Sequence, residues 1–266
     1  MEHLFKAWPG FIKSVKAASH VLILADYDGT LTQIVGRPED AVLSAGVRQK
    51  LQALAGKSGI SAGVISGRSL KELKSLVAIE GIYYSGNHGM EIEGPGLKYV
   101  NSQAEAARIT MQEMAAQLAE ALENIDGVII QEKGLSVSVH YRLVKPEKED
   151  DVTGAVKRIT APHVDKGEIS VYPMKKVWEI RPQVDWNKGK AVEFIGREIK
   201  AKLKASRLLT IYLGDDTTDE DAFKVLHRPD GWSIFVGSEK ASSSAAYYLN
   251  SVVEVEEFLD RLIKLK

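Results

Sequence analysis

The chain of 266 residues contains no cysteine. That excludes disulfides, thiolate nucleophiles and cysteine-based zinc sites. Charge of one sign is missing too: 35 Lys+Arg face 36 Asp+Glu, a formal net charge of −1. Without a basic field to hold nucleic acid or an anionic membrane surface, neither is expected as a partner. Six histidines are scattered with no HExxH spacing, which argues against a zincin. The longest strongly apolar runs, such as Val21–Ala25, are far below the roughly 20 residues of a bilayer span. Lys6, Lys13 and Lys16 are spread among the apolar residues of the N-terminal stretch. That stretch lacks an apolar h-region and a small-residue cleavage site, so it reads as an amphipathic helix and not as a signal peptide. What is present is 44% hydrophobic and 27% charged, the composition of an ordinary globular protein. A soluble, cytoplasmic chain, monomeric by default, is the expectation.

Two patterns alternate over the first ninety residues. Val21–Ala25, Ile60–Ile65 and Ile82–Ser85 are short apolar runs of the kind buried on both faces of a parallel sheet. Between them, Ser44 caps a helix carrying Val47, Leu51 and Leu54 and closed by Gly56, and Ser69 with Glu72 forms an S-x-x-E box that starts a helix with Leu70, Leu73 and Leu76 or Val77 inside. The turn-rich Glu93-Gly94-Pro95-Gly96 then breaks the pattern and suggests a domain boundary. A long helix with Ala107, Met111, Met114, Leu118 and Leu122 on one stripe follows. Next comes a hairpin of residues 128–131 and 135–141, turning at Glu132-Lys133-Gly134. Leu135, Val137, Val139 and Tyr141 alternate with Ser136, Ser138, His140 and Arg142, which predicts one face in the core and one in solvent. A second helix and strand pair, 168–172 with 177–181, complete a four-stranded antiparallel sheet with two helices on one side. After Pro182 the α/β pattern resumes, with Asn187 capping a helix and Leu208–Leu213 a further apolar strand. The predicted architecture is a Rossmann-like parallel α/β core (1–94 and 183–266) interrupted by an α+β module (95–182) carrying the antiparallel sheet.

Ligands of open α/β sheets bind beyond the carboxyl ends of the strands. The residues there are Asp26-Tyr27-Asp28-Gly29-Thr30, Ser66-Gly67-Arg68, Gly86-Asn87-His88-Gly89 and Gly214-Asp215-Asp216, with Asp219 nearby and Lys188 in the first turn of the helix after the insert. Each alone has an ordinary structural role, as a turn residue, a helix-start acid or a solvated lysine. Together they form one carboxylate-rich edge. Clustered carboxylates raise each other's pKa unless a cation is bound, and an all-oxygen set suits Mg²⁺. Asp26 and Asp28, two apart, share a side of an extended strand, one placed as nucleophile and the other as acid and then base. A carboxylate approaching a phosphate dianion meets repulsion of roughly 8 kcal/mol at 4 Å and an effective dielectric of 20. Mg²⁺ and the Lys188 ammonium are placed to offset it, and Ser66 offers donors to the phosphoryl oxygens.

These stretches carry a resemblance. Asp26-Tyr27-Asp28-Gly29-Thr30-Leu31-Thr32 resembles the first motif of the haloacid dehalogenase superfamily, and Ser66, Lys188 and Gly214 to Asp219 its later motifs in order. The finer pattern is similar to the trehalose-6-phosphate phosphatases: residues 64–69, 86–91, 135–142, 179–182, 185–191 and 212–223 match core and insert alike. The resemblance implies the haloacid dehalogenase fold with an αβ cap, and a Mg²⁺-dependent hydrolysis of a sugar phosphate. Asp26 would be nucleophile, Asp28 acid/base, and Ser66 and Lys188 phosphate-binding groups. The Asp26 side chain, the Asp28 backbone carbonyl and Asp215 would hold the metal, with Asp216 and Asp219 orienting waters or Lys188 behind them. Thr217 stands where many relatives carry Arg.

Choosing a sugar takes hydrogen bonds that the wrong sugar leaves unmade. Taken alone, Glu132 and Lys133 read as an ordinary exposed hairpin turn; with the resemblance, Glu132, Lys133 and Glu179 of the insert are the expected sugar contacts, with Gly67, Arg68, Asn87 and His88 completing the site from the core. The rival expectations are a related phosphatase, acting on sucrose phosphate or mannosylglycerate phosphate, a phosphomutase of the same superfamily, and a catalytically silent sensor.

Overall fold

The structure is a computed structural model and describes residues 1–238 and 241–265. Along the chain run β1 (Glu2–His3), α1 (Trp8–Ala17), β2 (His20–Asp26), α2 (Ala45–Ala55), β3 (Ile60–Ile65), α3 (Leu70–Val77), β4 (Tyr83–Gly86), β5 (Glu91–Gly94) and β6 (Leu97–Val100). Then come α4 (Ser102–Ala106), α5 (Arg108–Leu122), β7 (Ile129–Glu132), β8 (Val137–His140), α6 (Glu149–Asp165), β9 (Ile169–Met174) and β10 (Val177–Pro182). The last stretch holds α7 (Lys188–Leu203), β11 (Leu208–Gly214), α8 (Glu220–Val225), β12 (Gly231–Val236), β13 (Tyr247–Leu249) and α9 (Val252–Ile263). Two compact units result: Met1–Tyr99 with the chain from Trp186 onward, and Val100–Asp185.

The first unit is built on a sheet of order β1-β13-β12-β11-β2-β3-β4-β5-β6. From β12 to β4 every pairing is parallel. Strand β2 is buried along its whole length, and its period-two alternation divides it between two apolar layers. Val21, Ile23 and Ala25 pack with Val47, Leu51 and Leu54 of α2 and Phe258 of α9. Leu22 and Leu24 pack with Ala191, Val192, Ile195 and Ile199 of α7. Each such aliphatic side chain contributes about 1.5–3 kcal/mol by leaving water, so β2 is a firmly anchored strand from which to hang a site. Helices α2, α3 and α7 start on side-chain caps: Ser44 accepts from the Val47 N–H, Ser69 from Glu72 and Asn187 from Lys190.

The Glu93–Gly96 turn joins β5 to β6, a hairpin that extends the sheet beyond β4, with β5 antiparallel to β4. At the other margin β1 and β13 pair in parallel.

The second unit is a four-stranded antiparallel sheet, order β7-β8-β10-β9. Met111, Met114 and Leu118 of α5 and Val152 and Val156 of α6 pack with Val137, Val139 and Ile180. The long helix expected here is broken at Ala107, the C-cap of α4 and N-cap of α5. The other face corrects the expectation of plain solvation: Ser136 and Ser138 are buried. The reason at Ser138 is its contact with the Glu179 carboxylate, itself buried beside Lys133. Among the described residues no helix is long and apolar enough to cross a membrane.

Candidate active site

Parallel register brings the strand ends to one end of the sheet. Asp26 lies opposite Ile65, Ile65 opposite Ser85, and Leu213 opposite Ala25, so the segments following β2, β3, β4 and β11 emerge side by side. From the start of α7, Lys188 reaches into this cluster. Its ammonium donates to Asp26 Oδ1 at 2.6 Å and to Asp219 Oδ1 at 2.7 Å, and it is 3% exposed. Burial opposes its charge, yet Asp219 and Asp26 beside it hold its pKa above the usual lysine range.

Asp219 is wholly buried and satisfied from within. Oδ1 accepts from Lys188 and from the Tyr212 hydroxyl at 2.6 Å, and Oδ2 from the backbone N–H groups of Asp215 and Asp216 at 3.1 and 3.0 Å. Four donors occupy the roughly four lone-pair sites of a carboxylate. Asp216 is exposed and caps the turn 217–219, accepting from the Thr217 N–H at 2.6 Å.

Carboxylate oxygens of Asp26, Asp215 and Asp219 all lie within 4.8 Å of one another. Three acids share one ammonium. Burial pushes the Asp26 carboxyl well above the usual range, against the pull of Lys188, and the charges of Asp219 and Asp215 push it further. Burial, then Asp219, raises Asp215 to about 7 while Thr30, donating to Oδ1 at 3.0 Å, pulls it down. With Asp219 saturated, Asp26 and Asp215 are the oxygens left to meet a cation. An all-carboxylate, sulfur-free donor set with excess negative charge fits a hard divalent ion. The turn after β2 is shaped for the same purpose. Gly29 has φ +86°, and a Cβ there would stand 2.1 Å from Asp215 Oδ2, so only glycine lets this backbone lie against the Asp215 carboxylate.

Asp28 has a cation of its own. Its two oxygens receive Nε and Nη2 of Arg68, both at 2.8 Å. Arg68 also donates through Nη2 to the Pro38 carbonyl at 2.7 Å and through Nη1 to Glu72. The Glu72 carboxylate of the expected capping box is thus engaged with Arg68. Ser66 is buried, its hydroxyl accepting from the Arg68 N–H at 3.2 Å. The loops after β3 and β4 are laced together: the Asn87 N–H donates to the Arg68 carbonyl at 2.7 Å and the His88 N–H to the Ser66 carbonyl at 2.9 Å. These bonds hold Asn87 and His88 in left-handed backbone, φ +49° and +56°, a conformation Asn and His tolerate better than most residues. A Cβ at Gly67 would meet the His88 ring at 2.4 Å. The Asn87 amide donates to Glu91 at 2.7 Å.

The second unit holds the remaining expected residues. Lys133 donates to both Glu179 oxygens at 3.2 and 3.3 Å, Ser138 donates to the same carboxylate, and Arg181 Nε lies 3.8 Å away. Glu179 is 2% exposed. Glu132 is exposed and turns back on its own hairpin, accepting from the Gly134 N–H at 2.5 Å.

Sequence reasoning gave no role to Tyr212 or Thr30, and gave the Glu72 carboxylate only a helix-capping one, where the structure pairs it with Arg68. Tyr212 had a signal: it is the polar-tipped residue of a strand otherwise aliphatic toward its end, and a buried Tyr hydroxyl needs an acceptor.

Comparison with known proteins places the chain in a family. The family model described as trehalose-phosphatase matches residues 24–253. A probable trehalose-phosphate phosphatase of Oryza sativa subsp. japonica is 36% identical over 277 residues, covering 96% of this chain and 71% of that protein. An uncharacterized glycosyl hydrolase of Mycobacterium tuberculosis is 37% identical over 256 residues, covering 94% of this chain, which spans only 19% of that protein's length. The solved C-terminal domain of a Candida albicans trehalose-6-phosphate phosphatase superposes with a TM-score of 0.79 at 25% identity, over 97% of each chain. The fold, a parallel-sheet core with a separate antiparallel sheet, is that of the haloacid dehalogenase superfamily. With the matched span running through the carboxylate cluster, Lys188 and the antiparallel module, the chain belongs to the trehalose-phosphatase family.

Proposed function

We propose that this protein is a Mg²⁺-dependent phosphatase that hydrolyses trehalose 6-phosphate to trehalose and inorganic phosphate. The observation that supports it most is a buried Asp26 gripped by Lys188 beside Asp215, at the end of the central strand of a trehalose-phosphatase family chain. The first unit has the chemical role and the second that of a sugar-reading cap. We infer a monomeric cytoplasmic enzyme.

Asp26 is the nucleophile. One of its oxygens bonds to phosphorus as the bond to the sugar oxygen breaks, leaving an aspartyl-phosphate. Asp28 gives the departing oxygen its proton, then takes a proton from the water that attacks the aspartyl-phosphate and frees phosphate. Lys188 holds Asp26 in place and, with Ser66, faces the transferring oxygens. The Asp26 and Asp215 side chains and the Asp28 main-chain carbonyl would hold Mg²⁺, which when bound neutralises charge between the nucleophile and the phosphate dianion. Asp219 and Asp216 act behind them, Asp219 by fixing Lys188 and the 215–216 backbone. Asn87, His88 and Gly67 shape the core side of the site, and Glu132, Lys133 and Glu179 read the sugar.

The test is phosphate release from a panel of purified sugar phosphates with Mg²⁺. Trehalose 6-phosphate should exceed sucrose phosphate and mannosylglycerate phosphate by about tenfold or more in kcat/KM. Equal turnover of the panel, or none, rejects the reading; sugar phosphate as product with no free phosphate would signal a phosphomutase.

A further inference from the structure

We propose that Arg68 and Glu72 form a relay that positions Asp28, and that Arg68 acts on the reaction through Asp28 and not by binding phosphate. The inference rests on the reading of Asp28 as acid/base.

Asp28 sits in the loop after β2 with its side chain 40% exposed. Such a carboxylate can rotate among several rotamers, and only some present a proton to a leaving oxygen. The Arg68 fork removes that freedom, because two parallel hydrogen bonds at 2.8 Å fix both oxygens and the carboxylate plane at once. The fork is itself immobile. Its side chain is 6% exposed, and its guanidinium carbon lies 5.4 Å from the centroid of the Tyr27 ring. Its donors go to Asp28 twice, to the Pro38 carbonyl and to Glu72. A guanidinium has five N–H donors, so four are taken by the protein, too many for a group whose task is to grip a ligand. Glu72 stands four residues beyond Arg68, in the first turn of α3, where its backbone N–H is tied to Ser69. A rigid helix start thus sets a carboxylate, the carboxylate sets a guanidinium, and the guanidinium sets Asp28. This gives Glu72, through its ion pair with Arg68, a place in the chemistry.

The relay makes a prediction that a phosphate ligand or a packing residue does not. Proton donation matters when the leaving oxygen is a poor leaving group, as in a sugar, and little when it is an acidic phenol. Arg68→Lys keeps the charge but cannot fork. In single-turnover, rapid-quench measurements with Mg²⁺, it should slow trehalose release from trehalose 6-phosphate by about tenfold to a hundredfold. Release of p-nitrophenol from its phosphate should change by less than about threefold, with KM for trehalose 6-phosphate nearly constant. Glu72→Gln leaves fork and target intact and should show the same split at about threefold to tenfold; it decides the matter if Arg68→Lys does not fold. Equal losses on both esters, or a rise in KM on both, overturns the relay. Failure of the wild-type protein to release trehalose would instead overturn the reading of its function, so the two failures are separable.

Discussion

Replacing Asp219 by asparagine removes one charge and one acceptor from a carboxylate that takes four donors. The amide nitrogen must face one pair of them. Turned toward Oδ2's partners, it leaves the N–H groups of Asp215 and Asp216 without their acceptor, at about 1–3 kcal/mol each. Turned toward Oδ1's partners, it strips Lys188 of one of its two carboxylates and Tyr212 of its acceptor, in the range of about 3–5 kcal/mol for breaking a buried pair. Relief of repulsion with Asp26 and Asp215 offsets part of this. A net loss of about 3 kcal/mol is expected, and at about 2–4 °C per kcal/mol the Tm falls by roughly 6–12 °C. The assay is thermal unfolding with a chelator present, so that no cation contributes. The sign discriminates two roles. If Asp219 were a cation ligand waiting for its ion, removing its charge from the crowded metal-free cluster would leave stability unchanged or raise it, and Mg²⁺ affinity alone would drop. That result would refute the assignment of Asp219 as an internal hub.

Gly29→Ala should both strain a backbone at φ +86° and drive a methyl into Asp215; activity should require more Mg²⁺ to reach half-maximum, and an unchanged Mg²⁺ dependence would contradict the packing argument. The metal-free protein should lose stability as pH rises. Asp215 binds its proton more tightly folded, at about 7, than unfolded, near 3.8, so its stabilising contribution is complete at low pH and disappears through about pH 7. Tm measured in chelator should therefore fall between about pH 4 and 7 and level off above, and saturating Mg²⁺ should lessen that fall; a metal-free Tm that rises over this range would show the cluster to be ionised without help. Lys133→Ala should lower kcat/KM for trehalose 6-phosphate more than for p-nitrophenyl phosphate. The ratio is insensitive to the folded fraction, and an unchanged ratio would remove Lys133 from sugar reading.

Long, strongly patterned elements were legible in the sequence. The apolar runs at β2, β3 and β11 demand burial on both faces, and Ser44, Ser69 and Asn187 stand one residue before the helices they cap. The margins were not. β1 and β13 have two and three residues, too few for a period, and are specified by the neighbour they pair with. The Gly94-Pro95-Gly96 turn carries the same punctuation whether it ends a domain or, as here, turns a hairpin. At the site, the grouping of Asp26, Asp215, Asp219 and Lys188 followed from parallel strands ending together. Which oxygen meets which donor did not follow, because that depends on side-chain rotamers. Hence neither the saturation of Asp219 nor the commitment of Arg68 to Asp28 could be read from spacing.

The claim on which the rest depends is that the phosphoryl group passes through Asp26. Acid-quenching the protein within milliseconds of mixing with trehalose 6-phosphate and Mg²⁺, then mapping by mass spectrometry, should reveal a phosphoryl adduct on Asp26 that hydroxylamine releases. An adduct on another residue, or steady phosphate release with no adduct at any quench time, would contradict it.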